Sequence, residues 1–120
     1  MNHEEPKWLR PMLEKWTPDA ISLLMQCIKT GLRKGEVSAN DVRVDDLEQK
    51  NVTGGVFKSL RRFGFVKSDR RVRGIRPEQH GRDFPVWILA DRTLAHHLME
   101  HMRRALVGQE QETTKQMVLL

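Results

Sequence analysis

Three features of the chain predict an α+β fold with a three-helix core and a β-hairpin. Apolar residues recur at helical spacing in successive stretches before residue 64, short apolar runs flank a Gly- and Pro-containing loop between residues 65 and 89, and the basic residues concentrate on the third helical stretch and that loop. This order is what a winged helix-turn-helix needs. Residues 17–90 are the expected winged-helix domain, with an N-terminal arm over 1–16, an extra C-terminal helix over 91–107 and a flexible tail over 108–120.

The elements follow from local chemistry. Leu9, Met12, Leu13 and Trp16 fall at i, i+3, i+4 and i+7, a short amphipathic helix that tolerates Pro11 in its first turn. Packing on the domain is the favoured role for this arm, and binding a protein partner is the other. Thr17 is a good N-cap, with Pro18 at the first helical position and Asp19 near the positive end of the dipole. Ile21, Leu24, Met25, Ile28 and Leu32 make the apolar face of that helix, which Gly31 or Gly35 can end.

Glu36 and Val37 supply a very short strand, after which Ser38 with Asp41 three residues on resembles a capping box for a second helix. Val42, Val44 and Leu47 are its inward residues, although Val-Arg-Val reads equally as extended chain. Val52, Val56, Leu60 and Phe63 recur at helical steps and predict a third helix over 52–62, stopped by Gly64. Phe65 to Val72 and Val86 to Leu89 read as paired strands, Pro85 leading in the second. Trp87 is expected in the core. Asp91 caps a last helix carrying Leu94, Leu98, Met102 and Ala105 on one side.

From Lys50 to Arg82 ten Lys and Arg stand against two acids, Asp69 and Glu78, a local +8 in a chain of formal net charge +5. The rest of the chain is therefore −3. A localised basic face on a small domain is the electrostatic footprint of a nucleic-acid binder. At 120 residues, 38% hydrophobic and 31% charged, the chain supports one globular domain, and no apolar run approaches the ~20 residues of a membrane span. The start, Met-Asn-His-Glu-Glu-Pro, lacks the apolar segment of a secretory signal, so a cytoplasmic protein is expected. Cys27 is the only cysteine, which excludes an internal disulfide and a cysteine-based zinc site within one chain.

On the third helix Asn51, Gly54, Lys58, Arg61 and Arg62 point away from the apolar face, and with Thr53 they form the expected DNA-reading set. Gly54 and Gly55 each cost roughly 1 kcal/mol of helix propensity relative to Ala, which a close approach to DNA or to the first core helix would offset. In the loop, Arg70, Arg71, Arg73, Arg76, His80 and Arg82 are the expected wing contacts, since Arg enters a narrow minor groove or clamps phosphate in bidentate fashion.

The run Ser38-Ala-Asn-Asp-Val, then Gly54-Gly-Val-Phe with Leu60 and Gly64-Phe-Val, and above all Arg76-Pro-Glu-Gln-His-Gly-Arg followed by Pro85-Val-Trp, resembles a family of small winged-helix proteins of phages, prophages and related mobile elements. The resemblance covers residues 37–89. It implies a winged helix and duplex DNA binding in a transcription or replication accessory factor, with 52–62 as recognition helix and 73–83 as wing. Gly55 departs from the pattern, where a larger residue is expected.

His97 and His101 share a helix face beside His96, but no carboxylate or cysteine set completes a metal site. Neither a Walker loop, a dinucleotide fingerprint, a nucleophile elbow nor a paired-carboxylate motif is present, so neither an enzyme nor a cofactor is expected. The stripe Leu94, Leu98, Met102 and Ala105 is close to a coiled-coil seam, and a homodimer through it would set two recognition helices on a two-fold site. The competing role for the stripe is to complete the core of a monomer. A protein-binding module on the same fold is the alternative function.

Overall fold

The computed structural model describes residues 4–42, 50–75, 77 and 81–118, with backbone alone for 50–54 and 108–118. Helix α1, Leu9–Lys15, buries Leu9, Met12 and Leu13, so the arm packs on the domain. Helix α2, Pro18–Lys34, starts as its sequence dictates: the Thr17 hydroxyl accepts the Ala20 N–H at 3.2 Å and Pro18 occupies the first turn. It ends at Gly35, whose φ of 82° is the left-handed cap that glycine adopts without a Cβ penalty.

The buried face of α2 is rotated from the expected one. Leu24 and Ile28 are buried as predicted, but Leu23 and Cys27 flank them in the core, while Ile21, Met25 and Leu32 are only partly covered. The reason is that α3, α4 and the sheet all lie against this helix, and the apolar stripe is wide enough for either centre.

Strand β1, Glu36–Val37, is followed by a turn over 38–41 that has the capping-box bonds without helix in its described part. The Asp41 carboxylate accepts the Ser38 N–H at 2.8 Å, and the Ser38 hydroxyl accepts the Asn40 N–H at 3.3 Å. Val42 is buried. The remainder of the expected second helix, with Val44 and Leu47, lies outside the described residues.

Helix α3, Lys50–Ser59, begins two residues earlier than expected and tightens into a 3-10 turn, Leu60–Phe63, before Gly64 at φ 84°. The Gly64 carbonyl accepts from both Ala90 and Asp91 N–H groups, at 2.9 and 3.1 Å, tying this turn to the far end of the sheet. Strands β2, Phe65–Arg73, and β3, Asp83–Leu89, form the predicted hairpin, with Arg73 opposite Asp83 and an irregularity between Lys67 and Arg71. The sheet order is β1-β3-β2, antiparallel throughout, because β1 pairs Val37 with Trp87 on the returning strand.

Helix α4, Arg92–Val118, is capped by the Asp91 carboxylate, which accepts the Leu94 N–H at 2.9 Å. Its backbone stays helical to Val118, past the expected end at residue 107 and into the stretch expected as a flexible tail over 108–120, of which 119–120 lie outside the described residues. Gly108 carries a helix cost of only about 1 kcal/mol, and the Gln, Glu and Lys that follow it are good helix formers with no proline among them.

Among the described residues the result is four helices and a three-stranded antiparallel sheet, the predicted α+β class, with a connectivity compatible with a winged helix. Phe63 and Phe65 are buried at the junction of the 3-10 turn and β2, in one core with Leu24, Ile28, Leu98 and Met102. Trp87 is buried as expected, with no partner for its indole N–H among the described residues. No helix among the described residues is long and apolar enough to cross a membrane.

Candidate nucleic-acid interface

Burial divides α3 and its 3-10 extension as the periodicity requires. Val56, Leu60 and Phe63 face the core, and Gly55, Lys58, Arg61 and Arg62 are exposed. Asn51, Thr53 and Gly54 occupy the first turns of the helix; their side chains lie outside the description. A Cβ added at Gly55 meets nothing within 4 Å, and the glycine lines an open hollow shared with Thr17 and Ala20 at the start of α2. The face around it is sterically open.

The cations differ in what holds them. The Arg62 guanidinium sits over the Trp8 ring, 5.4 Å from its centroid, and Trp8 packs edge-on against Phe63 at 5.5 Å, so the N-terminal arm braces the end of the helix. Arg70 pairs with Glu36 across the sheet, and the Arg71 guanidinium donates to the Asp83 carbonyl at 3.2 Å. These three expected contacts thus have local partners as well as exposure. Lys58, Arg61, Lys67, Arg73 and Arg82 are exposed and have no acidic partner among the described residues. Arg76 and His80 lie outside the described residues.

Lys67 and Asn40 were missed by reading the sequence alone. Lys67 sits on β2 opposite Trp87, where strand alternation would place it on the same face as buried Phe65, so its exposure could not be read from periodicity. Asn40 had no local signal either: its side-chain amide donates to the Arg73 carbonyl at 2.8 Å and accepts the Ile75 N–H at 3.2 Å, contacts 33 and 35 residues away. It connects the 38–41 turn to the root of the hairpin loop, which is closed by the Gly74 N–H on the Arg82 carbonyl at 2.7 Å.

The same turn is held by charge. Burial alone raises the Asp41 carboxyl, but the Lys34 ammonium at 2.7 Å and the Ser38 N–H and hydroxyl outweigh it and bring Asp41 below its ordinary value.

The expected dimer seam is corrected. Leu98, Met102 and Ala105 are 1%, 0% and 3% exposed within the chain's own core, and Leu94 packs half-buried against it. The physical reason is that α4 lies against α2 and the 3-10 turn, which take the apolar stripe intramolecularly. On the flanks of α4, His96 is exposed and His97 and His101 are half-buried.

No family model, curated protein or solved structure matches this chain. A second surface lies away from the cations just described: an open groove of about 790 Å³ lined chiefly by Leu13, Trp16, Ile21, Met25 and Leu106.

Proposed function

We propose that this chain is a winged-helix domain that binds duplex DNA, with α3 as recognition helix and the loop between β2 and β3 as wing, acting as a transcription or replication accessory factor of the phage or mobile-element type. One observation carries the reading. Lys58, Arg61, Lys67, Arg73 and Arg82 are exposed, without acidic partners among the described residues, on one helix and one hairpin that are consecutive in the chain. Cations left unneutralised by the protein itself are the ones available to phosphate.

The division of labour follows from shape. A major groove about 12 Å wide admits a helix, and the exposed face that carries Lys58 and Arg61 is the one that would approach base edges. Arg73 and Arg82, at the root of the loop, suit the sugar-phosphate backbone. Neutralising roughly 4 to 6 phosphates releases their counterions, so affinity for duplex DNA is expected to fall at least about a hundredfold between about 50 and 200 mM salt. A fluorescence-anisotropy titration measures this; absence of binding at low salt, or indifference to salt, ends the reading.

Within the interface, Lys58→Ala is expected to alter sequence preference, and Arg82→Ala to weaken all duplexes alike. Equal effects from both would remove the assignment of roles. A protein-binding module is the second reading, and the apolar groove beside Trp16 is the observation that favours it. The two readings separate cleanly, because Met25→Glu in the groove leaves a DNA titration unchanged and Arg61→Glu does not.

A further inference from the structure

The root of the hairpin loop combines two features that neither the fold nor phosphate binding requires. Ile75, the first residue past the closing Gly74–Arg82 hydrogen bond, is 76% exposed, the most exposed large apolar side chain among the described residues. Along the chain it lies between Arg73 and Arg82, both exposed. Isolated surface apolar residues are common, and exposure by itself says little. What distinguishes Ile75 is that its backbone is fixed. The Asn40 amide bonds the Arg73 carbonyl and the Ile75 N–H, on either side of Gly74, as a neighbouring parallel strand would. Asn40 is itself held, by its N–H on the Ser38 hydroxyl, in the turn that Lys34 and Asp41 clamp. An apolar side chain is thus presented to solvent on a rigid root, among cations.

Proteins that work in the minor groove combine these parts: Arg for the narrow, negative groove and an apolar wedge that enters between base pairs, unstacking and kinking the duplex. We propose that Ile75 is such a wedge, positioned by Asn40, and that the wing bends its DNA at flexible pyrimidine–purine steps. This inference rests on the DNA-binding reading above and adds to it the class of site: duplexes with a TpA step under the loop, which unstack most easily. Arg73 and Arg82 hold the backbone on either side, and Ile75 buries its side chain against the opened base pairs.

The test measures bending and binding together on the full chain. A duplex carrying donor and acceptor dyes at its ends, with one central TpA step, is titrated at low salt by energy transfer and by anisotropy. Wild type is expected to bring the ends together, with a kink of about 20 to 90°. Ile75→Ala should abolish the end-to-end change and weaken binding about tenfold while leaving the salt dependence unaltered, since no cation is lost. Ile75→Phe should retain the bend. Asn40→Ala should reduce bending while Met25→Glu in the distant groove does not, with circular dichroism confirming that both variants are folded; Asn40→Asp, which keeps the acceptor for the Ile75 N–H, serves if Asn40→Ala unfolds. Binding by wild type without bending, or equal bending by Ile75→Ala, overturns the wedge and leaves the DNA reading standing. Absence of binding at low salt overturns the DNA reading and the wedge with it.

Discussion

At the scale of single residues, Gly31 and Gly55 are both helical glycines, and alanine is expected to act on them in opposite directions. A Cβ at Gly31 would lie 2.5 Å from the Phe65 ring, which is buried and cannot retreat. Alanine there gains about 1 kcal/mol of helix propensity but overpacks the contact between α2 and β2 at a cost of about 1 to 3 kcal/mol, so Gly31→Ala should lower the urea midpoint. At Gly55 the added methyl meets nothing, and Gly55→Ala should raise stability by about 0.5 to 1 kcal/mol. If the same variant also weakens DNA binding, the missing side chain serves the approach of α3 to the duplex. Cys27 obeys burial alone: desolvation, with a smaller contribution from the charge of Asp41, pushes its thiol up to about 12, so it stays protonated at neutral pH. A disulfide reagent is expected to modify it only on unfolding, and rapid labelling of the native chain would contradict its position in the core.

At the scale of elements, the 38–41 turn gives a pH dependence of known sign. Asp41 has a lowered pKa in the folded chain, so its contribution to stability is present above the ordinary value of 3.8 and is lost as pH falls below it through the lowered one. Asp41→Asn should flatten that acid limb in thermal melts between about pH 5 and 2, and a limb of unchanged slope would mean that the turn is held otherwise. Helix α4 gives the larger effect. Leu98 is inside the chain's own core, so Leu98→Glu buries an unpaired carboxylate and should unfold the domain, seen as lost cooperativity in circular dichroism rather than as dissociation in light scattering. This helix also shows what could be read in advance. The stripe of Leu94, Leu98, Met102 and Ala105 was visible as periodicity, yet periodicity states only that a face is apolar and not what covers it. The caps at Thr17, Gly35, Gly64 and Asp91 were readable because each acts on neighbours in sequence. The exposed side of α3 was readable for the same reason. The rotated face of α2 and the bracing of Arg62 by Trp8 were not, since both depend on elements that meet only after folding.

At the scale of the whole molecule, shape and charge point in the same direction. The radius of gyration is 15.8 Å, against about 14 Å for a compact chain of this length, and the longest extent is 52 Å. A 27-residue α4 is about 40 Å long, while the last residue described as buried along it is Ala105. The stretch after Gly108 carries Glu110, Glu112 and Lys115, a net −1 at the end of a chain whose net positive charge lies in Lys50 to Arg82. Ending the chain after Gly108 should therefore shorten the molecule in small-angle scattering without lowering the thermal midpoint by more than about 2 °C, because no described core residue is removed. Removing net negative charge should hold DNA affinity constant or raise it slightly at low salt, with the salt dependence unchanged because no phosphate-contacting cation is deleted. A large fall in affinity on this truncation would place part of the interface on the far half of α4, and a large fall in stability would show that this half packs on the domain.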